Sequence, residues 1–174
     1  IAMIRSIMQQ LRNFKRDFKL RNVHKQIDSL VTELSIRGST TKEPVPFERR
    51  KEGEFKTYAP GESWGELFDC AWFNLQGKVP EEWIESDLYL KLDFNCELCL
   101  FNEKGVPIKG FTNKSSGFDY SLGKPTKRYF QVNDLLSPEG TLDLWIDAGL
   151  NDLFGNLKKK GKIQYAEIVT RNEK

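Results

Sequence analysis

The spacing of apolar residues changes once along this chain. Residues 4–36 contain neither Pro nor Gly, and Ile4, Ile7, Met8, Leu11, Phe14 and Phe18 recur at the three-and-four spacing of one helical face. Val23, Ile27, Leu30, Val31 and Leu34 keep that period with an offset, so the stripe rotates or the helix breaks near residues 20–22. Two helices or one bent helix both fit. Arg37 and Gly38 then read as a stop, a cation at the negative end of the helix dipole followed by a residue tolerant of left-handed geometry. Residues 39–46 are polar, carry two prolines and read as a linker.

Beyond the linker the period becomes two. Leu88, Leu90, Leu92 and Phe94 alternate with Tyr89, Lys91 and Asp93, and Leu142, Leu144 and Ile146 alternate with Asp143, Trp145 and Asp147. Strands are predicted near 54–58, 70–75, 87–94, 96–102, 107–112, 127–132, 140–148 and 162–170, separated by turn signals such as Pro60-Gly61, Lys104-Gly105 and Glu139-Gly140. The polar stretch 113–125 reads as a surface loop. Many short strands with almost no helix between them imply an antiparallel β-sandwich or jelly roll. The predicted organisation is therefore a helical segment over 1–41 followed by a mainly β domain over 42–174.

Charge and cysteine content narrow the setting. The net charge of +2 conceals eight Lys/Arg against three Asp/Glu in residues 1–41, leaving the remainder mildly acidic. Such a basic face is either a solvated helix surface or a contact for an anionic partner. No base-stacking motif or long apolar run accompanies it, so neither nucleic acid nor membrane is an expected partner. Three cysteines and no leader-like stretch point to the cytoplasm without a structural disulfide. Cys96 and Cys99 share a Cys-x-x-Cys spacing, but no second pair exists, and an offset of three along a strand sends their side chains to opposite faces. Both read as small packing groups.

The most individual segment is Ser63-Trp64-Gly65-Glu66-Leu67-Phe68-Asp69-Cys70-Ala71-Trp72-Phe73, followed by Val79-Pro80-Glu81-Glu82-Trp83. Leu90 to Glu97 and Leu100 to Phe111 continue the succession of strand, turn and Pro-containing strand. Together these stretches resemble the N-terminal region of glycoside hydrolase family 38 α-mannosidases of the cytosolic bacterial and vacuolar type. One departure stands at Asn95-Cys96, where members of that family often carry Gly. The resemblance implies a sandwich of the galactose-binding-like, jelly-roll kind. It also implies a parent enzyme that cleaves α-mannosides with retention, using a zinc held by two histidines and two aspartates, one of them the nucleophile.

This chain has a single histidine, His24, in the basic N-terminal stretch. No catalytic residue, metal ligand or cofactor is therefore expected here, and zinc belongs to a catalytic domain outside the chain. The expected partners are that catalytic domain, a second copy of the chain and mannose-containing glycan.

The candidates for substrate contact or domain docking are Trp64, Asp69, Trp72, Phe73 and Trp83. Aromatic faces stack on pyranose C–H patches, and flanking carboxylates satisfy hydroxyls. Asp69, near Trp72, has two readings: a carboxyl raised by an aromatic wall, or one that accepts backbone N–H bonds in a turn. In a strand, one of Trp72 and Phe73 faces inward, and the other is left to dock against a neighbouring domain. Two alternatives to a support domain are an independent carbohydrate-binding module and a domain whose basic helix binds an acidic partner.

Overall fold

The computed structural model describes residues 28–112, 127–151 and 160–171. Their strands, in chain order, are β1 (Asp28–Glu33), β2 (Ser35–Thr41), β3 (Lys56–Tyr58), β4 (Ser63–Trp64), β5 (Cys70–Lys78) and β6 (Leu88–Asp93). There follow β7 (Glu97–Phe101), β8 (Pro107–Thr112), β9 (Tyr129–Gln131), β10 (Thr141–Gly149), β11 (Gly161–Lys162) and β12 (Tyr165–Arg171). One sheet runs β3-β2-β5-β10-β7-β8, a second runs β1-β12-β6-β9, and β11 with β4 forms a short ribbon. Every pairing is antiparallel.

The eight predicted strands correspond to β3, β5, β6, β7, β8, β9, β10 and β12. The helix expected over 4–36 is corrected from Asp28 onward, where β1 and β2 stand instead; its earlier part and the loop 113–125 lie outside the described residues. The boundary at 41/42 moves with it, because β2 sits inside the six-stranded sheet between β3 and β5. The physical reason is long-range: Ile36 lies opposite both Leu75 and Tyr58, and Gly38 lies opposite Phe73. Leu34, Ile36 and Gly38 alternate buried with exposed Ser35 and Arg37, a period of two, although Leu34 also fits the helical spacing of the preceding residues. Cross-strand burial decides between them.

Gly38 is not a helix stop but a close approach. A Cβ there would fall 2.4 Å from Phe73 Cε1, well inside contact distance. Phe73 needs that space because it is the centre of the core. Its ring meets Phe94 at 4.9 Å, Trp64 at 5.2 Å and Tyr58 at 5.8 Å, all edge-on, the geometry that aromatic quadrupoles favour. Around it lie Leu75 from β5, Leu88, Leu90 and Leu92 from β6, Leu144 and Ile146 from β10, and Ile168 from β12. The alternation read from the sequence is thus the inward face of each sheet.

Part of the outer surface is also occupied. Across the six-stranded sheet, the segment after β2 lays Phe47 against Trp72 (5.9 Å) and Phe101 (5.6 Å), while Trp72 Nε1 donates to the Val45 carbonyl at 2.8 Å. The Arg50 guanidinium lies 3.6 Å from the Phe47 ring centre and 5.0 Å from that of Trp145, and donates to the Phe47 carbonyl at 2.8 Å. On the four-stranded sheet Asp28 gathers three partners: the Tyr129 hydroxyl donates to it at 2.5 Å, Lys91 lies at 3.4 Å and Arg171 at 3.6 Å.

Replacing Gly38 by Ala forces a methyl group into the Phe73 ring, and the expected cost is about 1–3 kcal/mol. Urea denaturation of the variant measures it. A midpoint equal to that of the parent chain would show that the approach of β2 to Phe73 is loose.

Candidate functional site at the Lys42 and Asp69 cleft

The turn between β4 and β5 is organised by one carboxylate. Asp69 Oδ2 accepts the Glu66 backbone N–H at 2.9 Å, and the Asp69 N–H returns to the Glu66 carbonyl at 2.9 Å. This is the local bonding for which short acidic side chains are favoured in turns. Gly65 takes φ +54° and Phe68 takes φ +71°, so the chain reverses sharply within four residues. Backbone bonds to Leu150 fasten the far side: Phe68 N–H to the Leu150 carbonyl at 2.8 Å, and Leu150 N–H to the Asp69 carbonyl at 2.9 Å.

Asp69 Oδ1 meets Lys42 Nζ at 2.8 Å, and Glu66 lies 3.9 Å from the same ammonium. Burial pushes the Asp69 carboxyl upward, but the hydrogen bonds from Lys42 and Glu66 and the Lys42 charge prevail, holding it below the usual carboxylate range. Lys42 is correspondingly raised, first by its hydrogen bond to Asp69. Together with Ser63, Trp64, Gly65 and Lys160, these residues line an open cleft of about 380 Å³.

The sequence-predicted residues separate here. Asp69 and Trp64 line the cleft, although Trp64 is only 2% exposed and its Nε1 donates inward to the Phe94 carbonyl at 3.1 Å. Phe73 is the core centre and faces no solvent. Trp72 does point to the opposite side of the sheet, as strand geometry requires, but Phe47 and Phe101 cover it, leaving 5% exposed. It is not the open docking ring anticipated for the outward member of that pair. Trp83 ends a 3-10 turn, Glu81–Trp83, half-buried against the core. Lys42, Ser63, Glu66 and Lys160 escaped sequence reasoning; Lys42 lies 27 residues from its carboxylate partner, and no local motif links them.

Of the two readings of Asp69, the turn-organising one holds. A lowered carboxyl that is held by a lysine and a backbone N–H does not serve as a proton donor at neutral pH. Among the described residues no group of three His, Cys, Asp or Glu could hold a metal ion, and His24 lies outside them. The donors present do not fit the zinc site that the family resemblance implies. The cysteines are free, and burial pushes all three thiols up, Cys96 furthest. They are poor nucleophiles.

Comparison with known proteins decides the family. A family model described as alpha-mannosidase, jelly roll domain, matches residues 31–169. The chain belongs to the α-mannosidase jelly-roll family. Alpha-mannosidase 2C1 of Mus musculus is 24% identical over 122 residues, covering 70% of this chain and 11% of the relative. The Homo sapiens protein of the same name is 24% identical over 115 residues, covering 66% and 10%. This jelly roll therefore spans about a tenth of the length of the curated relatives that it matches. The match begins within β1, so it includes β2, in keeping with the corrected boundary. Among the described residues no helix is long and apolar enough to cross a membrane.

Two pH-dependent outcomes follow. Asp69→Asn removes the charge that answers Lys42 and is expected to lower the melting temperature at pH 7. Because the folded carboxyl is lowered, its contribution is complete above the unfolded value near 3.9 and is lost as pH falls through the folded one. Melting curves of parent and variant should converge in strong acid; a gap unchanged at low pH would refute the ion pair. Asp147, on β10, has the opposite sign, because burial raises its carboxyl despite a hydrogen bond from the Ala148 N–H. Asp147→Asn is expected to raise the melting temperature at pH 7 and to have no such effect below the usual carboxylate range, and equal melting at both pH values would contradict the burial penalty.

Proposed function

We propose that this chain is a non-catalytic part of a larger zinc-dependent α-mannosidase that removes terminal α-mannosides from glycans, and that it packs on the catalytic domain. The observation that carries the reading is how the jelly roll spends its chemistry. Its tryptophans and Asp69 are committed to core, strap and turn, so neither an exposed stacking platform nor an acid/base carboxyl pair is built from the predicted site residues. The short coverage of the relatives supports it, since a domain of this size has most of such a polypeptide to pack against. The zinc would be held by residues outside this chain. Three free cysteines favour a reducing compartment, in keeping with the cytoplasm.

The test is deletion of residues 28–171 from the longer gene product. Loss of this support is expected to lower the melting temperature of the remaining enzyme by several degrees and to expose it to proteolysis. A deleted enzyme with the melting temperature, protease resistance and aryl α-mannoside turnover of the parent would end the support reading.

A further inference from the structure

The turn that Asp69 organises presents a large apolar side chain at the surface of the described residues. Phe68 is 67% exposed, the most exposed large apolar side chain among the described residues. Its backbone also takes φ +71°, a left-handed conformation that glycine adopts freely and an aromatic residue adopts only under constraint. Both features are unfavourable for the jelly roll alone: a ring faces water, and its backbone is strained. The constraint is nonetheless firm. The Phe68 N–H is bonded to Leu150, its neighbour Asp69 is bonded to Leu150, Glu66 and Lys42, and Leu67 beside it is half-buried. A strained residue held this rigidly with its ring outward is a pre-organised contact whose ordering cost is already met.

We infer that Phe68 is the anchor by which this jelly roll docks on the remainder of the α-mannosidase polypeptide, its ring entering an apolar pocket there. This rests on the docking reading proposed above and gives that reading its contact point. The occupant follows from coverage and surroundings. About nine-tenths of each curated relative lies outside the matched region, which supplies a permanently linked partner surface. The same turn carries Glu66, which with Lys42 is more than two-thirds exposed, so charged groups stand in the segment that presents the ring. A second copy of the chain would have to present the same protruding tip, and the cleft on the Lys42 side is lined mainly by polar groups, so it offers such a ring no apolar pocket.

Hydroxyl-radical footprinting distinguishes the outcomes, comparing this 174-residue chain with the longer gene product. Phe68 oxidation is expected to fall several-fold in the longer protein, while Val106, half-exposed in the turn between β7 and β8, serves as a second position. Protection of other jelly-roll residues without Phe68 overturns the anchor and leaves docking standing. Protection nowhere overturns both. Phe68→Gly adds an independent arm: in this chain it relieves strain, so the melting temperature should hold or rise, whereas in the longer protein the jelly roll should uncouple and melt as a separate transition. A variant that melts lower in this chain, or still melts as one unit in the longer protein, overturns the anchor.

Discussion

Close packing around Phe73 is the constraint from which the other arrangements follow. The ring projects from the middle of the six-stranded sheet, and its contact with Phe94, just past the end of β6, joins the two sheets. Trp64 and Tyr58 close its remaining edges, so the ribbon containing β4 and the edge strand β3 are fixed relative to the same ring. The inward face of β2 must then be glycine where it passes over. Interiors packed this densely transmit small volume changes, so one residue at the centre sets the spacing of several strands.

The same economy extends to the residues of the Trp-to-Phe motif. Trp64 uses its N–H to satisfy a buried carbonyl, Trp72 uses its own to hold the strap over the outer face, and Arg50 lies between the Phe47 and Trp145 rings. Asp69 is a turn organiser with a lysine partner. Each group that resembled a binding residue has a structural task, and the tasks interlock: the Asp69 turn carries the chain from Trp64, against the Phe73 ring, directly into β5. At that turn Phe68 stands out as the most exposed large apolar side chain among the described residues.

The sandwich was legible because its strands alternate cleanly. Leu88, Leu90 and Leu92 and then Leu142, Leu144 and Ile146 announce an inward face without knowledge of a partner. β1 and β2 were not legible for the complementary reason. Leu30, Val31 and Leu34 satisfy a helical spacing that continues from Val23 and Ile27, and only pairing with β12, β3 and β5 selects the strand. The very short β4 and β11 carry too few residues to show a period. Within the site, Asp69 and Trp64 were visible as unusual residues, but Lys42 and Lys160 are brought to them by folding across long separations, which no local pattern records. The family resemblance, carried by Trp64, Trp72-Phe73 and Pro80 to Trp83, reaches residues that mostly build the core and its flanks.

The proposal with most at stake places hydrolysis outside this chain, whose Trp64, Trp72, Phe73 and Asp69 side chains build the jelly roll. Its most direct test is release of phenol from an aryl α-mannoside by the purified 174-residue chain, with and without added zinc. The expected rate equals that of buffer in both cases. Turnover that rises with zinc and disappears on chelation would contradict the account.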